Sequence, residues 1–91
     1  MDLQDQRDLL LLSELDRDGG ATQRTLALKL GVALGLTNLY LKRLARQGSI
    51  KVTAIPRNRA RYVLTPQGLA EKSRLTNQYM QYSLSYHREM R

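Results

Sequence analysis

The sequence contains no cysteine, which excludes disulfides and cysteine-based zinc sites and leaves the fold to rest on packing alone. It has no long apolar run either: the longest, Leu9–Leu12, is far short of a membrane span. The opening Met1-Asp2-Leu3-Gln4-Asp5 lacks the basic start of a signal peptide, so the expectation is a soluble, unprocessed chain in the cytoplasm. There is a single histidine, His87, late in the chain, so neither a nucleophile–base pair nor a metal cage can be assembled within one subunit. No glycine-rich phosphate loop is present. An enzyme is therefore not expected, and neither a metal nor a cofactor.

The most informative absence is that of acid. Residues 19–70 hold nine lysines and arginines and no aspartate or glutamate, a net +9, whereas residues 1–18 sum to −4 and residues 71–91 to +2. The formal charge of +7 is thus concentrated in the middle of the chain, where it would steer and hold a polyanion by neutralising phosphates. Nucleic acid is the partner this implies, and double-stranded DNA is the form expected for the motif that follows. At 91 residues the chain makes one domain, small enough that a second subunit would add useful core.

Within the acid-free block the pattern reads as helix, tight turn, helix and hairpin. Thr22 can cap a helix whose Leu26, Ala27 and Leu30 share a face, and Gly31 supplies the left-handed residue that stops it. After Val32-Ala33 a second helix carries Leu34, Thr37, Leu41 and Leu44 at spacings of three and four, and stops at Gly48. Two short helices joined in this way form a DNA-reading motif. Ile50–Ile55 then alternates, Pro56–Arg59 interrupts, and Ala60–Leu64 extends again, forming a hairpin with a basic tip. The expected fold class is mainly α with a small β-hairpin, a winged helix-turn-helix with a long C-terminal helix.

Upstream, Asp2 or Asp5 can start a first helix that ends at Asp18-Gly19-Gly20. Asp2, Asp5 and Asp8 either complement its dipole or meet the basic C-terminal end of another subunit. Four consecutive leucines cover more than one helix face, so some of Leu9–Leu12 are expected to pack on another subunit. Downstream, Thr65-Pro66 reads as N-cap and first helical residue, and no proline or glycine follows Gly68. Leu75, Tyr79, Tyr82 and Tyr86 fall at alternating steps of four and three, the period of a helix–helix seam, and mark the expected dimerisation surface. The division expected is residues 1–75 as the winged domain and 76–91 as an extension of its last helix.

The reading head is the second helix of the motif, whose early residues face base edges while its later basic residues reach the backbone. Counted from Ala33 as the cap, Leu34, Gly35, Leu36, Asn38, Leu39, Lys42, Arg43 and Arg46 are expected to point outward. Asn38 alone among them can pair bidentately with adenine, and its competing reading is a solvated amide. Lys42, Arg43 and Arg46 read as phosphate contacts or as a solvated basic face. Arg24 on the preceding helix joins the candidate DNA-binding set. So do Arg57, Arg59 and Arg61, whose alternation would put them on one side of a strand near a minor groove or phosphates. Leu34, Leu36 and Leu39 offer bases only contact with a thymine methyl, and their alternative use is an apolar face for another protein. Ala33 lacks the hydroxyl of a usual helix cap.

Gln23-Arg24, Leu26-Ala27, Leu30-Gly31-Val32-Ala33-Leu34-Gly35, Asn38, Leu41-Lys42, Gly48, the run Tyr62-Val63-Leu64-Thr65-Pro66-Gln67-Gly68 and Glu71-Lys72 resemble the MarR-type winged-helix regulators, specifically the short exopolysaccharide-associated subgroup. The resemblance runs from about Leu9 to Tyr82. It implies a homodimeric bacterial transcription regulator with the second helix of the motif in the major groove and the wing beside the minor groove. Three positions depart from the subgroup pattern: Ala33 stands where it has Ser, Thr25 where it has Glu, and Leu36 where it has a polar residue. All three touch the reading head and none the fold. A winged-helix module that binds protein through the leucine face is the alternative function. Whether a small-molecule effector binds is not written in the sequence.

Overall fold

The computed structural model describes residues 2–55 and 59–89, with side chains except at 54, 55, 59 and 85–89. Its elements follow in the order α1 (Leu3–Arg17), α2 (Gln23–Leu30), α3 (Leu34–Arg46), β1 (Ile50–Ile55), β2 (Arg59–Leu64) and α4 (Pro66–Glu89). Asp2 caps α1, its carboxylate accepting the Asp5 N–H at 2.7 Å. Thr22 caps α2 in the same way, and Gly31 ends it at φ +70, where an L side chain would be strained. Ala33 makes no side-chain cap bond to α3. Instead the buried Thr37 hydroxyl donates to the Ala33 carbonyl at 3.2 Å.

The helices enclose one cluster: Leu11, Leu12 and Leu15 of α1, Leu26 of α2, Leu41 and Leu44 of α3, Ile50 and Tyr62 of the hairpin, and Leu75 of α4. Each fully buried leucine contributes roughly 1.5–3 kcal/mol, so no single element holds the fold alone. Leu11 and Leu12 belong wholly to this core, Leu9 packs against it in part, and Leu3 and Leu10 face outward. Of the four-leucine run, only Leu10 is left exposed for a second subunit. Leu75 likewise lies in the domain's own core with no exposure, a correction to its place in the dimer seam. The helical period runs unbroken from the core into the extension, so periodicity alone does not mark where the core stops.

β1 and β2 pair antiparallel with Ile50 opposite Leu64, Val52 opposite Tyr62 and Ile55 opposite Arg59, so β2 starts one residue earlier than the alternation suggested. Two backbone approaches lock the hairpin to the helices. The Gly19 carbonyl accepts the Tyr62 N–H at 3.0 Å, and a Cβ at Gly19 would lie 2.3 Å from the Tyr62 carbonyl oxygen. At the other end, Thr65 N–H donates to the Ser49 carbonyl at 3.1 Å, while its hydroxyl reaches the Gly48 and Ser49 carbonyls and accepts the Gly68 N–H. Gly68 presses so close that a Cβ there would sit 1.9 Å from the Ser49 carbonyl oxygen. The Leu-Thr-Pro-Gln-Gly block thus joins the start of α4 to the end of α3 and fixes the hairpin between them.

α4 is tied to α1 by the Lys72–Asp16 ion pair at 2.7 Å. Beyond Leu75 the helix leaves the globule, and Tyr79, Met80, Tyr82 and Leu84 are exposed. The molecule accordingly measures 54 × 27 × 20 Å. Among the described residues, no helix is long and apolar enough to cross a membrane.

Candidate nucleic-acid interface

The core side of α3 is defined by Thr37, Leu41 and Leu44, all buried. Residues on the opposite side follow from the helical period of 3.6, and they are Gly35, Leu39, Lys42 and Arg46. All four are exposed, so they form one continuous stripe along the helix. Leu34, at the helix start, is also exposed.

The other expected reading-head residues are turned aside. Leu36 is half-buried. Asn38 is half-buried as well, its Oδ1 accepting from Gln23 Nε2 at 3.4 Å, and the same Gln23 amide donates to the Tyr62 hydroxyl at 3.0 Å. That network spans α2, α3 and β2 and holds the one amide of α3 between elements. Gln23 matters here only through this tertiary arrangement, which no spacing in the sequence announces.

Arg43 departs furthest from expectation. Its guanidinium turns toward α1, forms an ion pair with Asp8, and lies 5.5 Å from the centre of the Tyr40 ring. Arg7 approaches the same ring at 5.7 Å and donates to the Tyr40 hydroxyl at 2.6 Å. Arg43 therefore joins α3 to α1, a correction to its outward placement. Asp8 correspondingly serves as the partner of Arg43 in place of a dipole-complementing acid. Burial pushes the Asp8 carboxyl above its ordinary value, outweighing the attraction of Arg43, and the nearby Asp5 adds to the rise.

The acids of α1 also engage Lys29, whose Nζ lies 2.8 Å from Glu14. Hydrogen bonds from Lys29 and Arg17 hold the Glu14 carboxyl below its usual range. What remains of the basic block is directional. Arg24, Lys42, Arg46, Lys51 and Arg61 are exposed and have no ion-pair partner among the described residues. Lys51, on β1, shares the face of the hairpin that carries Arg61, because their strand partners Val63 and Thr53 alternate with the Val52–Tyr62 pair. Arg59 occupies the first position of β2, and Arg57 lies outside the described residues. Of the seam tyrosines, Tyr79 and Tyr82 are 50% and 52% exposed, and the Tyr86 side chain lies outside the described set.

The family model described as winged helix-turn-helix DNA-binding matches residues 4–51. None of the curated proteins compared matches the chain. Among solved structures, the chain superposes on a MarR family transcription regulator with a TM-score of 0.76 at 24% identity, covering 91% of this chain and 56% of that one. The PcaV transcriptional regulator from Streptomyces coelicolor, in complex with its natural ligand, gives 0.77 at 23%, covering 87% and 57%. The Staphylococcus aureus MepR–DNA complex gives 0.73 at 21%, covering 91% and 59%. At these identities the likeness is one of fold, and this chain spans less than two thirds of the length of each.

Proposed function

The chain belongs to the winged helix-turn-helix DNA-binding family, and from that premise we propose that it is a dimeric transcription regulator of the MarR type that grips double-stranded DNA. The observation carrying this reading is the exposed stripe of α3, in which Lys42 and Arg46 follow Gly35 and Leu39, flanked by the exposed Arg24, Lys51 and Arg61 in a stretch without acid. In this reading α3 enters the major groove and the exposed Arg61, with Arg59 and Arg57 two and four residues before it in sequence, contacts the backbone or the minor groove. The Leu30-Gly31-Val32 turn and the Leu64–Gly68 block support the finer kinship with the short exopolysaccharide-associated subgroup.

Dimerisation completes the reading. The half-exposed Tyr79 and Tyr82 on a helix projecting from a small domain support a seam through residues 76–91, with Tyr86 next in the same period. A second reading, a protein-binding module, is favoured by one observation: Leu28, Leu34 and Leu39 are exposed on the same two helices. The discriminating experiment is a salt-dependent DNA titration. Removing one cation that neutralises a phosphate lowers the slope of log affinity against log salt by about 1. Lys42→Ala with Arg46→Ala should flatten it accordingly and weaken binding to all duplexes alike. An unaltered slope would remove α3 from the DNA and leave the protein-binding reading.

A further inference from the structure

We infer that α3 selects thymine by its 5-methyl group, with Leu39 as the apolar contact and Gly35 as the gap that lets the helix approach the base edges. This rests on the DNA-binding reading above. In the first two turns the outward stripe holds only Gly35 and Leu39, and Leu39 is 61% exposed. Thr37 is buried and bonded to the Ala33 carbonyl, and Asn38 is engaged by Gln23. The outward stripe of the early helix, Gly35 and Leu39, therefore carries no hydrogen-bonding side chain.

The surroundings of Leu39 identify its occupant. Lys42 and Arg46 continue the same stripe, so the leucine is an apolar knob set at the head of a cationic track. A polyanion with an apolar feature in its groove suits that combination. In the major groove the thymine methyl is the apolar feature of the base edges, and the donors and acceptors of A·T and G·C pairs alike are left unpaired by a leucine. Selection thus has one source, contact with the thymine methyl, which an unmethylated G·C pair lacks.

Gly35 supports the same conclusion from a different side. It stands within a helix, where glycine is less stable than alanine, yet a Cβ there would meet nothing within 4 Å and the residue has no positive φ. The fold does not require this glycine. Its missing side chain leaves room for α3 to approach a surface outside the chain.

The test compares an alternating dA·dT duplex of about two helical turns with the same duplex carrying deoxyuridine for thymidine, and a dG·dC duplex with its 5-methylcytosine counterpart, at one salt concentration. Removing thymine methyls should weaken binding of the full chain by roughly fourfold per methyl contacted, and adding methyls to cytosine should strengthen it. Leu39→Ala, a change at an exposed position that should leave the melting temperature unaltered, should bind the thymine and uracil duplexes equally while keeping its salt slope. Equal affinity of the unaltered protein for both duplexes, or a methyl effect that survives Leu39→Ala, would overturn this inference alone and leave Leu39 to a protein partner. Failure to bind any duplex at low salt would overturn the DNA reading itself.

Discussion

Arg43 and Lys42 are neighbours in sequence with opposite assignments, and replacing each by methionine separates them. Arg43→Met keeps most of the side chain's length but strands Asp8, whose side chain is 13% exposed, without its partner. Breaking a fully buried pair costs about 3–5 kcal/mol and a surface pair about 0–1, and with Arg43 26% exposed this pair lies between them, at about 2 kcal/mol. The buried Arg43 Nε, which has no hydrogen-bond partner among the described residues, keeps the figure from being larger. In a domain of this size that is a fall in melting temperature of roughly 8–16 °C at fixed protein concentration. The pH dependence has a definite sign. Because the Asp8 pKa is raised in the folded state, its contribution to stability is fullest below the ordinary value of 3.8 and declines as pH rises through the folded value. Without Arg43 the folded pKa rises further, so the gap between variant and parent should be widest near neutrality and close in acid. Thermal melts across pH measure this, and DNA titrations measure the other half: Arg43→Met should retain the salt slope while Lys42→Met lowers it by about 1. An Arg43→Met protein of parental stability with a flattened slope would refute the assignment of Arg43 to the α1–α3 joint.

Gly68→Ala should destabilise by about 3 kcal/mol or more, because its Cβ would lie 1.9 Å from the Ser49 carbonyl and the rigid backbone on both sides cannot yield. A chemical denaturation midpoint equal to the parent's would show that α4 can lift from the hairpin at no cost. Tyr79→Ser with Tyr82→Ser should leave the fold intact, since both rings are half exposed, but shift sedimentation from dimer to monomer at tens of micromolar. A parent chain already monomeric there would end the seam.

Local chemistry was the legible part of the fold. Thr22 and Gly31 bound α2, Thr65 starts α4, and the alternation around Pro56 gives the hairpin, because each is decided within a few residues. Where two elements must be placed against each other, the sequence was silent. Arg43 lies on the border between the outward stripe and the α1 side of α3, and only the nearness of Asp8, 35 residues away, draws it inward. Asn38 is outward by counting but is claimed by Gln23 and, through it, Tyr62. Leu75 has the same period as the tyrosines after it, yet it lies in the core while Tyr79 and Tyr82 are exposed. The glycine at position 19 gave no sign that it holds β2 through its carbonyl.

Selection of bound sequences from a random duplex pool tests the regulator most directly, since it asks at once for DNA binding, sequence preference and two-fold assembly. A dimer with α3 in the major groove should enrich a two-fold repeat whose half-sites lie about one helical turn, roughly 10 base pairs, apart. Recovery of no enriched repeat, at low salt and with protein shown to be dimeric, would contradict the account.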